Sequence, residues 1–127
     1  MNKGKILIVE DNQLNLKLFQ DILVINNFEV IAIADGFKAM EQIDLHMPDL
    51  ILMDIQLHGI SGLDIIKQIK QRDDLKHIPV IAITAFAMSY DEQNILSYGC
   101  DSYIAKPVMI ADFLNKINEY FKVKEGK

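Results

Sequence analysis

The residues with chemical potential are few and far apart in the chain. Glu10 and Asp11 follow the apolar run Lys5–Val9, Asp54 follows Leu50–Met53, Thr84 ends Val80–Thr84, and Lys106 follows Ser102–Ala105. Each stands where a short apolar segment gives way to polar sequence, so one architecture can bring all of them to a common rim. Three carboxylates crowded at that rim repel one another and are hard to keep ionised without a cation. Oxygen-only donors favour a hard ion, and Mg²⁺ usually keeps several waters beside one or two carboxylates. A hydroxyl and an ammonium alongside form a cradle for phosphoryl oxygens, in which Mg²⁺ and Lys106 neutralise charge on a transferring group. Asp54 would then be the nucleophile, giving an aspartyl phosphate. Taken singly, each residue has a plainer reading. Asp11 serves as a cap on the first helix, Thr84 as a capping hydroxyl and Lys106 as a solvated charge. Their shared register favours chemistry.

The elements that position these residues are legible as alternating strand and helix patterns. Five apolar segments recur: Lys5–Val9, Phe28–Ala34, Leu50–Met53, Val80–Thr84 and Ser102–Ala105. The runs starting at Lys5, Leu50 and Val80 are continuously apolar, as strands are when helices cover both faces. Ser102–Ala105 is short and half polar, as suits an edge. Between the strands, Leu14, Leu18, Ile22 and Ile25 recur at helical spacing, as do Leu63, Ile66 and Ile69, and Phe113, Ile117, Tyr120 and Phe121. Asp35-Gly36 and Pro48-Asp49 bound the second unit, Ser61-Gly62 opens the third helix and Gly99 closes the fourth. That fourth helix, over 87–98, is the weakest pattern, with Ile95 and Leu96 as its core candidates. The expected fold is α/β: a doubly wound five-stranded parallel sheet, order 2-1-3-4-5, of the flavodoxin-like (CheY-like) kind. Ligands of such sheets bind outside the C-terminal strand ends, where strands 1 and 3 part.

Composition narrows the function classes. The chain has 127 residues, 50% of them apolar and 24% charged, which suits one domain over 1–127, with an ordered core about 4–122 and a frayed tail. A net charge of −5 with no Lys/Arg run argues against direct nucleic-acid binding. No signal-peptide pattern is present, and no apolar run reaches the roughly eighteen residues of a membrane span. The single Cys100 excludes an internal disulfide, and a cytoplasmic protein is expected. Cys100 itself reads as a small buried hydrophobe. His46, His58 and His77 lack metal-site spacing and read as surface or loop residues, with His58 alone near the rim.

The motifs VEDN (Val9–Asn12), LILMDIQL (Leu50–Leu57), ITAFA (Ile83–Ala87) and AKP (Ala105–Pro107) resemble those of response-regulator receiver domains and extend over nearly the whole chain. MDIQL together with TAFAM is most similar to the single-domain regulators of the DivK type, which control cell division and polarity. The resemblance implies a phosphorylation switch rather than a turnover enzyme. Asp54 would be the phosphoacceptor, with Asp11 as a direct Mg²⁺ ligand, Glu10 acting through bound water and Gln56 supplying a backbone carbonyl. It makes Thr84 and Tyr103 the switch pair and Lys106 the partner of the phosphoryl oxygens, with a cis Lys106–Pro107 bond. A sensor histidine kinase or histidine phosphotransfer protein would meet the first helix at Leu14, Asn15 and Leu18, and the Pro107-Val108 loop. A downstream protein effector would read the face of helix 4, strand 5 and helix 5 around Met88, Tyr98 and Tyr103. The pattern also places Gln56 and Phe86 beside the path of the hydrolytic water. Phe86, Met88 and Met109 read equally as core or as partner surface. Two departures stand out. Glu10 replaces a common Asp, keeping the charge, and His58-Gly59 stands where a proline is usual, which predicts a looser loop after Asp54.

Three other readings compete. A flavin or nucleotide binder needs a hydroxyl- and glycine-rich loop after strand 1, and EDNQLN is acidic instead. An aspartate-nucleophile phosphatase of the DxD kind needs an acid where Gln56 stands. A receiver-like module that is never phosphorylated has no need of the set Asp11, Asp54, Thr84 and Lys106.

Overall fold

In a parallel sheet the strands lose solvent on both faces, so unbroken apolar runs become strands. The computed structural model describes residues 2–85 and 92–125 and bears this out. Its strands are β1 (Lys5–Val9), β2 (Glu29–Ile33), β3 (Leu50–Asp54), β4 (Val80–Thr84) and β5 (Ser102–Ala105). Alternating with them are α1 (Gln13–Ile25), α2 (Ala39–His46, entered through a 3₁₀ turn at Gly36–Lys38), α3 (Gly62–Gln71), α4 (Glu92–Leu96) and α5 (Ile110–Glu125). The sheet runs β2-β1-β3-β4-β5 and every adjacent pair is parallel, as expected. Asp54 lies beside Ile83 and Thr84 beside Ala105, so these strands end at one level.

Alternate strand residues point to opposite faces and make two cores. On one face Leu7, Val9, Ile51, Met53, Val80 and Ala82 pack with Ile43 of α2, Ile65, Ile66 and Ile69 of α3, and Ile95 of α4. On the other, Ile6, Ile8, Leu50, Leu52, Ile81 and Ile83 pack with Leu16, Phe19 and Leu23 of α1 and Phe113, Ile117 and Phe121 of α5. Full burial of one such side chain is worth about 1.5–3 kcal/mol, so each face is a substantial core.

The helix faces differ from the sequence expectation in instructive ways. In α1 the inward stripe is Leu16, Phe19 and Leu23, whereas Leu14 is 82% and Ile25 79% exposed. Both stripes have helical spacing, but only the inner one carries Phe19, whose ring stacks on Phe113 with centroids 5.2 Å apart. Asn12, not Asp11, caps this helix by accepting the Asn15 N–H at 3.0 Å, which leaves Asp11 to the rim. Ile95 is buried but Leu96 is exposed. Residues 87–91 of the expected fourth helix lie outside the described residues. The fifth helix continues to Glu125, into the segment expected to fray.

Candidate functional site

The rim is built from strand ends. Glu10 and Asp11 directly follow β1, Asp54 is the last residue of β3, Thr84 the last of β4, and Lys106 the first after β5. α3 starts close behind β3, and a side chain at Gly62 would collide with the Asp54 carbonyl, so glycine is required there. Ser61 caps α3 by accepting the Leu63 N–H at 3.2 Å.

Glu10, Asp54 and Thr84 are buried polar residues at the end of an apolar sheet. The Lys106 ammonium donates to Asp54 Oδ2 at 3.0 Å and lies 3.4 Å from Glu10 Oε1. The second contact is an ion pair without hydrogen-bond geometry, so Glu10 Oε1 is buried with no donor among the described residues. Glu10 Oε2 accepts the Asn12 N–H at 3.2 Å, and Asp54 Oδ1 accepts the Gln56 N–H at 2.8 Å. Asp11 Oδ2 accepts the His58 N–H at 2.6 Å and lies 2.7 Å from His58 Nδ1. The Gln56 side chain reaches across to β4, where its Oε1 accepts the Ala85 N–H at 3.1 Å.

Charge and burial explain the protonation behaviour. Burial, and then Asp54 beside it, push the Glu10 carboxyl from its ordinary 4.5 up to about 7. Burial disfavours the Lys106 ammonium, but Asp54 and Glu10 outweigh it and hold its pKa above the usual value. Burial also works against Asp11 as an anion, yet hydrogen bonds from His58 hold its carboxyl below the usual range. The carboxylates of Glu10, Asp11 and Asp54 bring ligand atoms within 4.8 Å of one another. Like charges this close, one with a buried oxygen lacking a donor, form an acidic pocket suited to a hard dication.

Glu10, Asp11, Asp54, Thr84 and Lys106 therefore all stand at this edge of the sheet, with Gln56 two residues beyond Asp54. The Lys106–Pro107 bond is cis, as the receiver resemblance implied. Tyr103, half-buried, packs toward the core on the α2–α3 face and borders a concavity of about 510 Å³ with Pro107, Met109, Asp112 and Lys116. Leu14 and Leu18 are exposed on α1, Asn15 is half-buried at its first turn, Pro107 is exposed and Val108 packs on the α1–α5 core. Tyr98 is half-buried in the turn after α4. Met88 and Phe86 lie outside the described residues.

The loop after Asp54 departs from expectation. With His58-Gly59 in place of the usual proline it is still pinned, by His58 on Asp11 and by Gly36 against Leu57 and Ile60. Gly59, at φ +78°, sits against the Phe37 ring. The sequence reading missed the anchoring roles of Asn12, Gly36 and His58. Asn before a helical run is a capping signal; Asp35-Gly36 and His58-Gly59 stand out locally too, but nothing local tells what either packs against.

A sheet of this order with an acidic pocket, a threonine and a lysine at its C-terminal rim defines the receiver class of signalling domain. The family model described as response regulator receiver domain matches residues 6–118, and the chain belongs to that family. It is 49% identical over 115 residues to the polar-differentiation response regulator DivK of Brucella anthropi, covering 91% of this chain and 94% of that one. The DivK of Brucella ovis is 48% identical over the same span. Among solved structures, the receiver domain of a Pseudomonas aeruginosa sensor histidine kinase, which has magnesium coordinated in its active-site cleft, superposes with TM-score 0.85 at 30% identity, covering 94% of this chain and 98% of that one. The chemotaxis response regulator CheY4 of Vibrio cholerae shares the fold at TM-score 0.85 and 20% identity, covering 92% and 98%. No helix among the described residues is long and apolar enough to cross a membrane.

Proposed function

We propose that the chain is a phosphoacceptor switch of a two-component phosphorelay, phosphorylated on Asp54 with Mg²⁺ bound in the acidic pocket. The observation that carries this is the Asp54 carboxylate itself: buried at a strand end, hydrogen-bonded to Lys106 at 3.0 Å and to the Gln56 N–H at 2.8 Å, beside two further carboxylates. A buried, pre-oriented carboxylate is a competent nucleophile once its charge is balanced. Glu10, Asp11, Asp54 and the Gln56 carbonyl would hold Mg²⁺, which supplies charge neutralisation at the transferring phosphoryl oxygens.

The chain's own groups account for the rest. An Asp54 oxygen attacks phosphorus, the P–N bond of a phosphohistidine on the donor breaks, and the freed imidazole takes up a proton. Lys106 stays paired with the site and follows the charge onto the phosphoryl oxygens. The donor is a sensor histidine kinase or a histidine phosphotransfer protein, docking over Leu14, Asn15, Leu18 and the Pro107-Val108 loop. Thr84 and Tyr103 couple the rim to a face of α4, β5 and α5, with Met88, Tyr98 and Tyr103 at its centre, for a downstream protein effector. The switch works in the cytoplasm, with a cell-division or polarity role suggested by the DivK relatives. Asp54 accepts a phosphoryl group and loses it slowly, so the chain is not a turnover enzyme.

Acetyl phosphate or phosphoramidate with Mg²⁺ should add one phosphoryl mass to the intact chain. The adduct should disappear in EDTA and in Asp54→Asn. Labelling of Asp54→Asn at the wild-type level sinks the assignment.

A further inference from the structure

Asp11 is held differently from its two neighbours. Glu10 and Asp54 are buried and tied to Lys106, Asn12 and Gln56, whereas Asp11 lies at the outer end of the pocket. Among the described residues, the hydrogen bonds that reach its carboxylate from elsewhere in the fold both come from His58, and both converge on Oδ2. The lengths of 2.6 and 2.7 Å are those of strong, charge-assisted contacts. The proline that the receiver pattern places here has neither a ring donor nor an N–H, so it could make neither contact.

We propose that His58 is a positioning residue for the cation: with its ring and its backbone N–H it holds Asp11 by Oδ2, orients the carboxylate toward the pocket and strengthens Mg²⁺ binding. This rests on the metal reading above and adds to it a residue that touches no metal. The platform is firm enough for the task. The loop bearing His58 is packed against Gly36 through Leu57 and Ile60 and against Phe37 through Gly59, so the backbone donor arrives from a fixed direction and the ring meets the same oxygen beside it. A carboxylate free to rotate at the rim must be ordered when a cation binds, and ordering has an entropic cost. A carboxylate already clamped through one oxygen presents the other without it. Partners of this kind commonly alter metal affinity by about ten- to a hundredfold. The His58 side chain is 96% exposed, so water competes for the contact and the lower end of that range applies.

The test is titration of the whole chain with Mg²⁺ alone by calorimetry at pH 8, comparing wild type, His58→Ala and His58→Asn. His58→Ala keeps the backbone N–H and loses the ring donor. Its dissociation constant should rise about tenfold. His58→Asn restores a side-chain N–H donor at similar reach and should return the constant to within about twofold of wild type. A merely structural contribution of the ring would not be rescued by an amide. Equal constants in all three chains overturn the inference and leave the metal site standing. Tighter binding in His58→Ala also overturns it, because the ring would then compete with the ion for Asp11. Absence of saturable Mg²⁺ binding by the wild type overturns the metal reading and this inference with it.

Discussion

Replacing Glu10 with Gln in the metal-free protein isolates the energetic cost of the acidic pocket. Glu10 is 1% exposed, its Oε1 has no hydrogen-bond donor among the described residues, and its carboxyl is pushed from 4.5 to about 7 by burial and by Asp54. Below pH 4.5 the group is protonated in the folded and unfolded states alike and costs nothing. Between 4.5 and about 7 the folded state retains a proton that the unfolded state has released, so stability falls as pH rises. Above pH 7 both states are ionised and the loss is complete. At about 1.4 kcal/mol per tenfold, that displacement amounts to roughly 3 kcal/mol. In EDTA, urea unfolding of wild type should therefore lose about 3 kcal/mol more than Glu10→Gln between pH 4.5 and 8, the Gln variant being the more stable at pH 8. Saturating Mg²⁺ should shrink the difference, because a bound cation balances the ionised carboxylate. Parallel pH profiles for the two proteins in EDTA would refute the reasoning.

Three further outcomes are expected. Gly62→Ala should destabilise the fold by about 2 kcal/mol or more in urea unfolding, since the new methyl collides with the Asp54 carbonyl and overpacking typically costs 1–3 kcal/mol. Gln56→Ala removes the acceptor of the Ala85 N–H, and hydrogen exchange at that amide should quicken several-fold while exchange in β3 stays slow. Cys100 is buried, and burial, with Asp101 nearby, raises its thiol above the ordinary 9.0. Iodoacetamide at pH 8 should therefore label it slowly in native protein and readily in urea.

Local pattern alone determined much of this protein. Unbroken runs such as Leu50–Met53 and Val80–Thr84 read as strands covered on both sides, and their alternation with helical stretches points to a parallel doubly wound sheet, which is the fold formed. In such a sheet the charged or hydroxyl residue at the end of each run falls at one rim, which is why Glu10, Asp11, Asp54, Thr84 and Lys106 are legible in the sequence. Tertiary structure decided what periodicity leaves degenerate. α1 carries two apolar stripes of equal spacing, and the stacking of Phe19 on Phe113, a residue of α5, turned Leu16 and Leu23 inward and left Leu14 outside. Asp11 and Asn12 are both good caps, and the choice of Asn12 is made by the geometry at the end of β1. His58 and Asp11 stand 47 residues apart, and their meeting depends on how the loop after β3 packs on Gly36 and Phe37. Helix and strand spacing report on neighbours a few residues away, whereas a hydrogen bond between loops is set by the closure of the whole sheet around them.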